Sequence, residues 1–170
     1  NTMPRFGWKL IDENNERGQK QTAYQILVSS NIEGLKNDKG DVWDSGKLKA
    51  DKSVNIEFSG KPLESGKQYF WKVKIWDANS LESSWSEVAK FSMGLLNPED
   101  WKAEWIYKKD QNKKDHNWYR KNFTLERTPQ SAFIHVASFG YHELYVNGKK
   151  VGDEVMNPVN SFMKKRLPYL

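Results

Sequence analysis

The sequence predicts an all-β protein built from two successive β-modules, and three observations carry that reading. Apolar and polar residues alternate with a period of two in one stretch after another, the spacing that places side chains on one face of a strand. Clusters of turn-forming residues separate these stretches at intervals of about 8 to 12 residues, as in a sandwich or barrel. Hydrophobic mass sits in a few large rings: 14% of the 170 residues are aromatic, eight of them Trp, within a hydrophobic total of only 37%. Such a composition suits small sheets with one solvated face.

The first module is expected over residues 1–94. Trp8 in "FGWKL" is the core ring of an early strand, and "AYQILVSS" places Tyr24, Ile26 and Val28 on one face of the next. In "SVNIEFSG" the same spacing groups Val54, Ile56 and Phe58. Turns are marked by Asn37-Asp38-Lys39-Gly40, Asp44-Ser45-Gly46, Ser59-Gly60-Lys61-Pro62 and Glu64-Ser65-Gly66. In "QYFWKVKIWD" a strand would set Tyr69, Trp71, Val73 and Ile75 toward a core. Phe70, Lys72, Lys74 and Trp76 would then point outward, with Trp85 of "SSWSE" on an adjoining strand, its ring against a lysine stem. Leu63 precedes Tyr69 across Ser65-Gly66, a spacing that resembles the tyrosine corner of fibronectin type III domains, whose ring packs inside while its hydroxyl bonds nearby backbone. Residues 4–94 thus resemble such a module, with Trp8, Tyr24, Leu63, Tyr69 and Trp71 as its structural core.

The alternation stops at "MGLLNPEDW", which marks the domain boundary. Asn97 suits an N-cap, Pro98 the first helical position, and Glu99 and Asp100 the exposed N–H groups there, so one short helical turn is expected. Over residues 95–170 alternation resumes in "AEWIY", "NWYRKNFTL" and "SAFIHVAS", and Asn147-Gly148 between Leu144-Tyr145-Val146 and Lys149-Lys150-Val151 signals a hairpin. The second module is also β. Lys108 to Asn117 is polar enough for a loop.

Several function classes find no support. The net charge is +5, and the lysine doublets at 108–109, 113–114 and 149–150 and the triplet Lys164-Lys165-Arg166 are interrupted by Asp110, Asp115, Asp153 and Glu154. This is a solvated lysine-rich surface, and no nucleic-acid partner is expected. The absence of Cys removes disulfides, thiolate nucleophiles and Cys-based zinc sites. No apolar run is long enough to span a membrane, and "NTMPRFGWKL" lacks the pattern of a signal peptide, so no membrane partner is expected. His116, His135 and His142 lack metal-site spacing, and no cofactor or metal is expected. "NFT" at Asn122 is an incidental match to a glycosylation acceptor.

Taken together, "QTAYQILVSS", "DVWDSGKL", "SGKQYFWKVKIWD", "SSWSEVAKFSMGLL", "DWKAEWI", "YRKNFTL" and "GYHELYVNGKKVGD" resemble, in order and spacing, the N-terminal region of bacterial α-L-rhamnosidases. The resemblance implies a fibronectin-like or immunoglobulin-like β-sandwich followed by the first part of a jelly-roll β-sandwich. In the family an (α/α)6 barrel further along the chain hydrolyses terminal α-L-rhamnose with inversion. On this reading the chain is a truncated, non-catalytic accessory region. Its partner is the C-terminal catalytic domain of the same polypeptide, and the substrate class suggests a secreted or periplasmic protein. The open edges of a half-built second sandwich would favour self-association.

Inverting hydrolysis needs two carboxyl groups about 6.5 to 9.5 Å apart, one with a raised pKa. Glu143, Asp153 and Glu154 lie beside turns in a lysine-rich setting, so they read as surface charge and no catalytic residue is assigned. Two other functions compete: an independent carbohydrate-binding module with Trp43, Trp76 or Trp85 as stacking platforms, and a fibronectin-like protein-interaction module. The same tryptophans would serve interdomain packing. If Trp71 belongs to the core, Trp71→Ala should cost about 3 to 5 kcal/mol. An unchanged denaturant midpoint would show that its face was wrongly assigned.

Overall fold

A computed structural model describes residues 3–11, 18–109, 117–129 and 132–155. The chain divides into two units, Asn1–Tyr107 and Lys108–Leu170. In the first, β1 (Arg5–Phe6), β2 (Ala23–Ser29), a short helix α1 (Ile32–Lys36), β3 (Trp43–Asp44), β4 (Leu48–Lys49), β5 (Ile56–Glu57), β6 (Gln68–Trp76) and β7 (Ala89–Ser92) succeed one another. A 3-10 turn follows at Pro98–Asp100. All ladders are antiparallel. The larger sheet has the order β3-β2-β6-β7, with β4 also pairing β2, and β1 and β5 form a second small sheet.

β3 and β4 are two halves of one edge strand, parted where the chain turns through Asp44-Ser45-Gly46. Gly46 takes φ +59°, which an L side chain rarely adopts. Ser45 keeps the ladder continuous across the gap: its N–H donates to the Ile26 carbonyl (3.0 Å) and its Oγ accepts from the Ile26 N–H (2.8 Å).

The register Tyr24↔Ile75, Ile26↔Val73, Val28↔Trp71 brings the apolar faces of β2 and β6 together on one side of the sheet. Tyr24, Ile26, Val28, Tyr69 and Val73 join Phe6, Ile56, Phe58, Leu63 and Met93 in the core, with Trp8, Trp43, Trp71, Ile75 and Phe91 half-buried against them. Phe6, carried in by β1, is the hub: its ring centroid lies 4.8 Å from Trp71, 5.8 Å from Phe91 and 5.9 Å from Trp43. These separations fall in the range of favourable tilted and edge-to-face aromatic pairs. Tyr69 is buried, and its hydroxyl accepts a hydrogen bond from the Glu64 N–H at 2.9 Å, which is the geometry of a tyrosine corner. Gln21 fastens the entry to β2: Oε1 accepts from Trp8 Nε1 (2.9 Å), and Nε2 donates to the carbonyls of Ala50 (3.1 Å) and Lys52 (2.9 Å).

Three expectations are corrected here. Val54 does not share the face of Ile56 and Phe58 and is 62% exposed, because Asn55 turns into the left-handed region (φ +56°) and breaks the alternation. The outward face of β6 is not open: Lys72 and Trp76 are only 6% and 8% exposed. The strands expected within 103–107, 117–125 and 131–138 form no ladder among the described residues, where the second unit has one hairpin, β8 (Tyr145–Val146) with β9 (Lys149–Lys150). Its turn is the expected Asn147-Gly148, both at positive φ (51° and 78°), as the primed turns of two-residue hairpins require. His116 and the triplet 164–166 lie outside the described residues. No helix among the described residues is long and apolar enough to cross a membrane.

Tyr69→Phe, which leaves the Glu64 amide without its acceptor, should lower stability by about 1 to 2 kcal/mol. Gln21→Leu orphans three partly buried groups at once and should cost clearly more in the same urea titration. Equal midpoints for the two variants would contradict the role given to Gln21.

Candidate functional site

The three tryptophans expected to face a ligand do not gather. Trp43 pairs with Val28, so its side chain lies on the core side of the sheet, 5.4 Å from Phe58. Gly60 is required there, since a Cβ would come within 2.6 Å of the Trp43 Cβ. Trp76 and Trp85 share the opposite side of the sheet. Of the core positions, Tyr24, Leu63 and Tyr69 are buried, whereas Trp8 and Trp71 are half-buried at the core margin. Trp8 stands edge-on to Tyr24 at 5.1 Å.

The outer side is organised by the register Ala23↔Trp76, Gln25↔Lys74, Leu27↔Lys72, Ser29↔Phe70. Cations and rings alternate along it. Lys47 Nζ sits 4.2 Å from the Trp76 centroid and Lys74 Nζ 5.3 Å from it. Lys74 and Lys72 each lie 4.9 Å from the Trp85 centroid. All four distances are within cation–π range. Lys74 also pairs with Glu82 at 3.3 Å.

Trp85 is held in place by serines on either side. Ser83 and Ser86 donate their N–H groups to the carbonyls of Ile75 (2.9 Å) and Val73 (2.8 Å). Their hydroxyl oxygens accept from the N–H groups of the same two residues, each at 3.1 Å. The irregular segment thus satisfies the edge of β6 as a paired strand would.

Lys72 is buried, and its ammonium has two partners: it donates to the Leu35 carbonyl in the last turn of α1 and to the Asp38 carboxylate. A cation at a helix C-terminus complements the unpaired carbonyls there. Asp38 is itself in the left-handed region, at φ +54°. The hydrogen bond from Lys72 holds the Asp38 carboxyl below its ordinary pKa, and the Trp85 side chain also donates to it. α1 covers this end of the face through fully buried Leu35.

A general acid needs a raised pKa, and the carboxylates beside the ladder are ion-paired with lysines. In the second unit Glu143 is held low by hydrogen bonds from Lys150 and Tyr145. There, Ser138 Oγ lies 2.8 Å from His142 Nδ1 and donates to the Gly140 carbonyl at 2.6 Å. Sequence reasoning found Lys72, Lys74, Trp76 and Trp85 but missed Lys47, Asp38 and α1. Lys47 reaches Trp76 only through the broken β3–β4 edge, a feature that periodicity does not reveal.

Comparison with known proteins places these features in a family. The family described as Rha78A-like, N-terminal immunoglobulin domain matches residues 1–97, and the α-L-rhamnosidase N-terminal domain matches residues 127–170. An α-L-rhamnosidase of Formosa agariphila is 32% identical over 98% of this chain, and one of Alteromonas sp. (strain LOR) is 36% identical over 98%. The chain spans only 20% and 19% of their lengths. The solved α-L-rhamnosidase from Dictyoglumus thermophilum superposes with a TM-score of 0.89 at 38% identity, covering 99% of this chain and 20% of its own.

Lys72→Met should return the Asp38 pKa toward the ordinary carboxylate value by removing its cation. The sign follows from linkage: a depressed folded pKa contributes stability above the unfolded value, which is lost as pH falls through the folded one. Wild type should therefore lose stability on acidification across that window more steeply than Lys72→Met. A carboxyl-carbon NMR titration giving the same Asp38 pKa in both proteins would remove Lys72 as its partner.

Proposed function

We propose that this chain, which belongs to the α-L-rhamnosidase family through its N-terminal domains, is a non-catalytic accessory region that scaffolds a catalytic domain carried elsewhere in the same polypeptide. On this reading the whole protein releases terminal α-L-rhamnose from glycosides. The observation that carries the proposal is the coverage: relatives named α-L-rhamnosidase match this chain almost end to end, while it accounts for only about a fifth of each. The chemistry of the described residues agrees, since the carboxylates near the ladder and Glu143 are tied to lysines.

The boundary between a fibronectin-like sandwich (1–94) and a jelly-roll-type domain (95–170) falls at the end of β7 on this reading, supported by the loss of the ladder after Ser92, while residues 95–107 group with the first compact unit. The second domain carries exposed rings such as Trp118 (86% exposed), Phe123 and Phe139. Such surface suits cover by further parts of the polypeptide, or by a second copy when these are absent. Carbohydrate binding on the outer face would fall to Trp85, since Trp76 is buried and Trp43 faces the core.

The purified 170-residue chain should leave a chromogenic α-L-rhamnoside intact, whereas the longer protein should cleave it and lose stability when residues 1–94 are deleted. Cleavage by the chain alone would refute the accessory role. A tryptophan fluorescence response saturating at millimolar rhamnose, lost in Trp85→Ala, would favour the carbohydrate-binding reading instead.

A further inference from the structure

The segment leaving β7 has the composition of a flexible joint, with Gly94, Asn97 and Pro98 in close succession. Its hydrogen bonding is that of a clamp. The Met93 N–H donates to the Lys67 carbonyl (2.9 Å), and the Gly94 carbonyl accepts from the Gly66 N–H (3.3 Å). The Leu96 N–H donates to Ser65 Oγ at 2.9 Å, and the Leu96 side chain packs against the core.

Ser65 Oγ in turn donates to the Asp100 carboxylate. The same carboxylate oxygen accepts from the Asn97 backbone N–H (3.0 Å) and the Asn97 side-chain amide (3.1 Å). Two backbone bonds, Asp100 N–H to the Asn97 carbonyl and Trp101 N–H to the Pro98 carbonyl, both 3.1 Å, close the 3-10 turn. The anchor is firm because Ser65 follows Glu64, whose amide holds the buried Tyr69 hydroxyl.

We propose that residues 93–101 form a hydrogen-bonded strap, keyed by Ser65 and Asp100, that holds the C-terminal exit of the sandwich rigid and sets the direction in which the polypeptide leaves it. A flexible linker would leave the path of residues 93–101 undefined, whereas a strap tied to the tyrosine corner fixes it. The strap requires no assumption about the reaction of the whole protein, so it stands or falls separately from the accessory role.

Backbone 15N relaxation on the 170-residue chain tests it directly. The N–H groups of residues 95–97 and 99–101 should give order parameters of about 0.8 or more, and values below about 0.6 would overturn the proposal. In Asp100→Ala, hydrogen exchange at Leu96 and Asn97 should accelerate by about tenfold or more while Ile26 and Val73 keep their protection. Unchanged exchange at Leu96 and Asn97 would remove Asp100 as the key. Should Ile26 and Val73 also lose protection, the variant has lost its sandwich, and the wild-type order parameters decide the matter alone.

Discussion

The antiparallel register between β2 and β6 is the constraint from which the rest of the sandwich follows. Seven consecutive pairs, from Ala23↔Trp76 to Ser29↔Phe70, decide which residues meet on which side of the sheet. In this register Ile26, Val28, Trp71 and Val73 share one side, and Leu27, Lys72, Lys74 and Trp76 the other. A slip of one residue would exchange the two sets, setting lysines into the core and the rings of the core into solvent. The register is well specified because both alternatives would carry that penalty and because β2 is buried on both sides, with Ala23, Leu27 and Ser29 as inaccessible as Ile26 and Val28.

Burial of the outer side explains the unusual chemistry found there. A buried lysine is costly unless its charge is paired and hydrogen-bonded. Lys72 meets that requirement through the Leu35 carbonyl and Asp38, and the same contacts tie the end of α1 to β6. Lys74 is less enclosed and divides its charge between Glu82 and two indole faces. In the ladder the lysine heads lie over the rings of both Trp76 and Trp85, so a stacking ligand would have to compete with them.

Much of the first unit was legible because a period of two is a direct consequence of strand geometry. The core face of β6, the pairing of Leu63 with Tyr69 and the turn at Pro98–Asp100 all followed from local spacing. What was not legible depends on particular neighbours. α1 has only five residues and carries Gly34 in the middle, so it shows no helical periodicity. Its signals are the Asn31 cap, which accepts from the Gly34 N–H at 2.8 Å, and the absence of a Cβ at Gly34, where one would come within 2.6 Å of Ser29 Oγ. Val54 kept the alternation on paper, but a single left-handed residue at Asn55 cancelled it. Trp43 reads like an exposed turn-flanking ring until its pairing with Val28 is known. That pairing spans fourteen residues of intervening chain, and no local pattern encodes it.

The second unit shows the limit of periodicity from the other side. "NWYRKNFTL" alternates as clearly as "AYQILVSS", yet only the latter becomes a strand among the described residues. Alternation states which side chains would share a face if a strand formed, whereas a strand forms when its N–H and C=O groups find a partner and its apolar face finds cover. β2 has β6 on one side, β3 and β4 on the other, and Phe6, Ile56 and Phe58 across the core. The rings of Trp118, Tyr119 and Phe123 remain exposed, and the β8–β9 hairpin contributes two residue pairs of ladder. A hairpin of two residue pairs buries little, and among the described residues these rings find no ladder to pack against.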